Sequence, residues 1–163
     1  MLLVHKISGH CEDKAFAGRY QDRLWISAAD AGRRRLRITS EGGETVGIDL
    51  PHPNWLCEGA VLHDDGRRII VVARRPELVM VIALGTINPE MAFRIGHALG
   101  NRHSPAELRN NEILVPVTDS PDLTARPVLT LGIPDITLRF EERAFAAGEP
   151  PNGVAAVHEH HHD

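Results

Sequence analysis

The segment LVMVIALGTINPEMAFRIGHALGNRH, residues 78–103, passes from one secondary-structure pattern to another. Residues 78–84 are a continuous apolar run of strand length, which Gly85 ends. Asn88 can cap a helix, and Pro89 suits the first helical position because its missing N–H is not needed there. Apolar residues then recur at the three- and four-residue spacing of an amphipathic helix: Met91, Ala92, Ile95, Ala98 and Leu99. The segment therefore predicts a strand followed by a helix, which we expect Gly100 to end as a left-handed C-cap.

The residues after this helix complete a repeating pattern of strands and helices. Residues 106–109 and 112–117, joined by Asn110 and Asn111, predict an antiparallel pair. A capping sequence at 119–122 predicts a second helix that runs toward Gly132, and Pro127 should kink or shorten it. Residues 135–141 predict a last strand. The resulting order of strand, helix, strand, strand, helix and strand is that of a ferredoxin-like βαββαβ unit.

The residues before this unit predict short strands joined by turns. Residues 34–40 and 44–50 alternate apolar with polar residues around a glycine turn, which predicts a hairpin with Leu36 and Ile38 facing Val46 and Ile48. A second hairpin joins residues 60–63 to 68–73, and residues 22–27 are a further strand candidate. Because no helical period is present here, we expect a small all-β domain.

We therefore predict an α+β protein with three parts. Residues 1–76 form the N-terminal β-rich domain and residues 77–146 form the ferredoxin-like domain. Residues 147–163 are mostly glycine, proline, alanine and histidine without periodicity, which predicts a flexible, disordered tail.

Charge and composition argue against several classes of partner. The chain has 163 residues and a net charge of −4, so it lacks the basic surface that a nucleic acid partner requires. The apolar stretches are too short to cross a membrane or to form a signal peptide. The two cysteines, Cys11 and Cys57, are far apart in the sequence, which favours free thiols in a reducing cytoplasm.

Histidine is the unusual component of the sequence. Four of the ten histidines, His158, His160, His161 and His162, lie within the last six residues. Such a run binds nickel, zinc or copper without a preformed cavity, although an added purification tag is the alternative interpretation. His103 follows the predicted helix end, where it is either an ordinary surface residue or a metal ligand. Since one histidine cannot fill a metal site, a ligand role requires a symmetry mate in a homodimer.

Motifs of known enzyme classes are lacking. The sequence contains no GxSxG elbow, phosphate loop or HExxH pattern, which argues against an enzyme. An RNA-binding module is a further alternative for a ferredoxin-like domain, but the second half has few aromatic residues and no matching RNP motif.

Residues 99–103, LGNRH, resemble the signature of the UreE family of urease accessory proteins. The resemblance extends to residues 112–116, to Leu131 and Gly132, and to the histidine-bearing tail. Upstream, it includes the alternating arginines at 33, 35 and 37, residues 47–51, residues 59–62, and Asp65 with Gly66. It thus covers most of residues 20–163. An additional histidine pair found in some relatives is absent from residues 117–120, which read VTDS.

The resemblance implies a nickel metallochaperone that delivers Ni(II) for assembly of the urease metal centre. It implies a homodimer formed through the ferredoxin-like domains, in which His103 of each subunit binds the metal and the tail histidines bind further ions. We expect His97, Asn101 and Arg102 to lie beside the site, with Asn101 and Arg102 holding the turn by hydrogen bonds. Zn(II) or Cu(II) could replace nickel. The implied partners are the urease accessory GTPase UreG and the urease activation complex, with the N-terminal domain as a partner-binding domain. The alternative is a general nickel or zinc buffering protein.

Overall fold

The computed structural model describes residues 1–51, 55–85 and 87–145, and over these residues the protein is α+β, as predicted. The predicted tail, residues 147–163, lies outside the described residues. The strands are β1 (Leu2–Val4), β2 (Gly9–His10), β3 (Tyr20–Ile26), β4 (Arg35–Thr39), β5 (Thr45–Asp49), β6 (Ala60–Asp64), β7 (Arg68–Arg74), β8 (Pro76–Ala83), β9 (Glu107–Arg109), β10 (Glu112–Pro116) and β11 (Thr137–Ala144). The α-helices are α1 (Ala28–Ala31), α2 (Pro89–Asn101) and α3 (Pro121–Leu129), and a short 3-10 helix spans Lys14–Phe16.

The C-terminal sheet has the strand order β11-β8-β10-β9, and each neighbouring pair is antiparallel. Its elements follow the chain as strand, helix, strand, strand, helix, strand, which is the predicted order. The hairpin between β9 and β10 turns at Asn110 and Asn111, whose φ angles are 51° and 62°. Two successive positive φ angles are typical of a tight hairpin turn, and asparagine tolerates them better than most residues do.

Strand β8 is buried on both faces. The side chains of Val79, Met80, Val81 and Ile82 are all fully excluded from solvent. Met80 and Ile82 point to the helical side, where they pack in one cluster with residues of both helices: Ile95, Leu99, Ala125 and Val128. Val79 and Val81 point the other way and pack with Ala28, Leu114 and Phe145. The apolar run that the sequence places here is therefore explained by contacts on two sides of one strand.

The N-terminal residues form two sheets, with orders β1-β5-β4 and β2-β6-β7-β3. Leu36 lies opposite Ile48 and Ile38 opposite Val46, which confirms the predicted hairpin register. The second predicted hairpin is confirmed by the pairing of β6 with β7. The two sheets share an apolar core that includes residues from both of them, such as Val46 and Leu24.

A buried carboxylate ties these two sheets together. Asp22 on β3 is fully buried, and its two oxygens accept hydrogen bonds from Ser40 Oγ and from the Gly42 N–H, each at 2.8 Å. Ser40 and Gly42 belong to the turn between β4 and β5. Because a buried carboxylate requires hydrogen-bond donors, Asp22 fixes this turn against β3.

Arg74 lies where the N-terminal sheets meet strand β8. Its guanidinium is buried, donates a hydrogen bond from Nη1 to the Leu56 carbonyl at 3.2 Å, and lies 5.7 Å from the ring centre of Trp55 and 6.0 Å from that of Phe145. Burial lowers the pKa of Arg74, and the charge of Glu77 opposes that shift. Glu77 also accepts the Ala28 N–H at 3.1 Å. We call this set of contacts, formed by Ala28, Trp55, Arg74, Glu77 and Phe145, the joint.

Several predicted boundaries need correction. The N-terminal part is not purely β, because Ser27 caps the short helix α1, its side chain accepting the Asp30 N–H. Helix α3 contains Pro127 and ends at Leu129, short of Gly132, which agrees with the expected shortening. Strand β11 begins two residues later than predicted and continues to Ala144. Strand β7 ends at Arg74 and strand β8 begins at Pro76, so only one residue separates them. The domain boundary at residue 76 therefore stays a prediction.

Among the described residues, no helix is both long and apolar enough to cross a membrane. The longest of them, α2, has 13 residues, whereas about 20 are needed to span a bilayer.

We predict that Ile82→Ala destabilises the protein by about 2–5 kcal/mol, because it removes a fully buried side chain from β8 and leaves a cavity. Urea denaturation at a fixed protein concentration measures the loss. Glu142→Ala, an exposed position on the neighbouring strand β11, is the control and should change stability by less than about 0.5 kcal/mol. Equal effects of the two substitutions would contradict the packing described for β8.

Candidate metal centre

Helix α2 positions the candidate ligand His103 at its C-terminal end. The helix begins after Asn88, whose side-chain oxygen accepts the Met91 N–H at 2.9 Å, and Pro89 occupies its first turn. Ile95 and Leu99 anchor the buried face of the helix in the core. Because Leu99 is buried only four residues before His103, the end of the helix is held firmly against the sheet.

His103 itself lies in the left-handed region of backbone conformation, with a φ of 52°. Its N–H donates to the Gly100 carbonyl at 2.9 Å, and the Ser104 N–H donates to the Leu99 carbonyl at 3.1 Å. These two bonds define a Schellman motif, in which the left-handed position is usually glycine. The prediction that Gly100 is the left-handed C-cap is therefore wrong: the helix continues to Asn101, and His103 takes that conformation.

A left-handed histidine carries a strain of roughly 1 kcal/mol or more relative to glycine. Such strain is often found at functional sites, where a particular side chain has to stand at that position. The side chain of His103 is exposed, so its imidazole is accessible to a ligand. The C-terminal end of α2 also carries a partial negative charge, which favours a cation beside it.

His103 lines a surface cleft of about 330 Å³ between the end of α2, the end of β10 and helix α3. Arginine and carboxylate side chains also line the cleft: Arg102, Asp119 and Arg126. Asp119 and Arg126 are not adjacent to His103 in the sequence, and only the packing of α3 against α2 brings them to the same cleft. No local sequence signal identifies these two residues.

The described residues of one chain do not form a complete metal site. Within residues 1–51, 55–85 and 87–145, no group of three or more histidine, cysteine, aspartate or glutamate side chains is placed to hold an ion. Among the same residues, neither Cys11 nor Cys57 forms a disulfide. A metal bound at His103 would need further ligands from elsewhere, since about four are normally required.

The three residues expected beside the site have different surroundings. His97 stacks on Phe93, with ring centres 6.0 Å apart, and its Nε2 lies 3.0 Å from Asn101 Nδ2. Asn101 therefore bonds along the helix to His97. The hydrogen bonds that hold the turn come from the backbone N–H groups of Arg102, His103 and Ser104. Arg102 thus contributes to the turn through its backbone N–H, whereas the side chain of Asn101 bonds to His97.

The four predicted tail ligands, His158, His160, His161 and His162, lie outside the described residues. Their participation with His103 in one site stays a prediction.

Comparisons with known proteins identify the family to which this chain belongs. The family described as "UreE urease accessory protein, N-terminal domain" matches residues 4–74. The Urease accessory protein UreE of Corynebacterium efficiens is 42% identical over 117 residues, which cover 70% of this chain and 76% of that protein. The Urease accessory protein UreE of Yersinia bercovieri is 30% identical over 158 residues, which cover 88% of this chain and 70% of that protein.

A protein of the same name from Staphylococcus saprophyticus is 36% identical over 98 residues, and the match spans 64% of its length. These relatives are all urease accessory proteins by name. The chain belongs to the UreE family.

We predict that His103→Gly stabilises the metal-free protein by about 1 kcal/mol, because glycine adopts a positive φ without a side-chain clash. His103→Ala is the matched control: it removes the same imidazole but keeps a Cβ, so it should not share the gain. Urea denaturation in the presence of a chelator measures both. If the glycine variant is no more stable than the alanine variant, His103 does not occupy the left-handed position in solution.

Proposed function

We propose that the protein is a nickel metallochaperone that binds Ni(II) through His103 and delivers it for assembly of the urease metal centre. Membership of a family of urease accessory proteins supports the urease connection. The observation that carries the metal role is the exposed imidazole of His103, kept in a strained backbone conformation at a helix C-terminus. Imidazole is a favoured protein ligand for nickel, and also for zinc and copper.

The proposed site is shared by two subunits. In a homodimer with two-fold symmetry, a residue at the axis meets its own copy, so two His103 side chains supply two nitrogen ligands. The tail residues His158, His160, His161 and His162 supply further imidazoles. Zn(II) or Cu(II) is expected to occupy the same ligands when nickel is absent.

The proposed role is that of a carrier and not of an enzyme. The ferredoxin-like part, residues 77–146, would provide the metal site and the dimer contact, and residues 1–76 would provide a partner-binding domain. The urease accessory GTPase UreG and the urease activation complex are the proposed partners, in the cytoplasm. Any nucleotide hydrolysis during urease activation would then belong to UreG.

We predict that His103→Ala abolishes the tightest nickel site, whereas deletion of residues 158–163 lowers the number of bound ions and keeps that site. The reason is that a ligand on a fixed turn is preorganised, but a segment without fixed geometry has to be ordered when it binds. Equilibrium dialysis against nickel, with the ions counted per dimer, measures both effects.

His5→Ala is the matched control for the nickel experiment, because it removes another exposed imidazole, from the N-terminal part of the chain. It should leave the tight site in place. Loss of every bound ion on tail deletion, with His103→Ala unchanged, would refute the interface site and would favour the alternative of a general nickel or zinc buffer.

We also predict a dimer in solution whose contact includes the turn at His103. Sedimentation velocity of the metal-free and nickel-loaded protein measures the assembly state. Attaching a spin label to a cysteine at position 103, in a background with Cys11 and Cys57 replaced by serine, measures whether the two copies lie close together. A protein that stays monomeric with and without nickel would contradict the shared site.

A further inference from the structure

The cleft beside His103 combines a cationic rim with an apolar floor. Its floor includes Val115 and Pro116, which are buried at the end of β10, and the partly buried ring of Pro127 on α3. Its rim includes the exposed side chains of Arg102 and Arg126, which come from different helices. The carrier role proposed above uses His103 from this cleft and places the turn at His103, which includes Arg102, in the dimer contact, but it assigns no ligand to the two guanidiniums.

The arginines of the rim differ from most others in the protein. Arg19, Arg68, Arg109, Arg139 and Arg143, for example, each form ion pairs with carboxylates. In the part of the chain that the structure describes, the side chains of Arg102 and Arg126 form no ion pair and no hydrogen bond; the same holds for Arg23, Arg37 and Arg67, which do not line the cleft. The two guanidiniums therefore keep all of their donors for a ligand from outside the chain.

The charges around the cleft favour an anion. Two guanidiniums carry two full positive charges, because arginine stays protonated at any physiological pH. They are opposed by one carboxylate, Asp119, and by the end of α2, which is equivalent to about half a negative charge. Around the cleft as a whole, the positive charge exceeds the negative charge even when His103 is neutral, although the end of α2 by itself favours a cation.

We propose that this cleft binds a carboxylate group that is attached to a short aliphatic chain. The planar guanidinium fork matches the two oxygens of a carboxylate and bonds them in pairs. The methylene groups of the ligand would cover the apolar floor at Val115, Pro116 and Pro127. A glutamate side chain of a protein partner and a small free dicarboxylate share this chemistry.

Such a ligand would lie next to the imidazole of His103, since both line the same cleft. A carboxylate oxygen is also a ligand for divalent metals. The bound carboxylate would thus lie beside an ion on His103 and could donate an oxygen ligand to it. That oxygen ligand would arrive and leave with the molecule that carries it. This consequence rests on the proposed nickel role, whereas binding of the carboxylate itself does not depend on any metal.

Titration of the metal-free, ¹⁵N-labelled protein with succinate, followed by amide chemical shifts, tests the proposal. We expect saturable shifts at residues 102–104, 118, 119, 124 and 126, which line the cleft. The double variant Arg102→Gln, Arg126→Gln should raise the dissociation constant by about tenfold or more, because it removes charged donors from the carboxylate. Since both positions are exposed, the same spectra report that the variant is folded.

Arg37→Gln is the charge-matched control, since Arg37 is exposed on β4 in the N-terminal part and should leave succinate binding unchanged. A blocked Gly-Glu-Glu-Gly peptide in a second titration distinguishes the sources: preference for the peptide indicates a partner's acidic segment, and preference for succinate indicates a free dicarboxylate. Shifts that do not saturate, or that persist in the double variant, would overturn the proposal. Because this titration contains no metal, a negative result would not bear on the proposed nickel role, which the equilibrium dialysis tests separately.

Discussion

The burial of β8 on both faces is the constraint on which the rest of the structure depends. Met80 and Ile82 require the helices as a cover on one side, and Val79 and Val81 require Ala28, Leu114 and Phe145 on the other. A strand with two apolar faces cannot lie at a surface, since each buried aliphatic side chain contributes about 1.5–3 kcal/mol through its removal from water. Its central position in the sheet therefore brings the helices and the N-terminal sheets to opposite sides of one element.

The candidate site follows from that arrangement. Packing of Leu99 against the face formed by Met80 and Ile82 fixes the end of α2, and the backbone bonds of the turn then place His103. Helix α3 packs on the same face, so Asp119 and Arg126 reach the cleft from another part of the chain. The position of the imidazole is thus set by main-chain geometry and core packing, and its chemical surroundings are set by tertiary structure.

Local patterns were sufficient to predict the elements whose residues interact with near neighbours in the sequence. The hairpin register at Leu36 and Ile48, the Asn88 cap and the order of elements in the C-terminal sheet are examples. The left-handed conformation of His103 was missed because glycine is the usual residue at that position, and Gly100 stood nearby as a better candidate. The cleft was missed for a different reason: Arg102 and Arg126 come together only through the packing of two helices, which no sequence period encodes.

The joint has a consequence for how the protein unfolds. Ala28 and Trp55 of the N-terminal part pack in one cluster with Val81 and Phe145 of the C-terminal part, and the Arg74 guanidinium lies near both aromatic rings. Melting of the N-terminal sheets alone would remove Ala28 and Trp55 from this cluster and leave Glu77 without the Ala28 N–H. The two parts are therefore expected to unfold together. The amides with the slowest hydrogen exchange should lie on both β7 and β8 and should exchange as one cooperative unit, not as two independent domains.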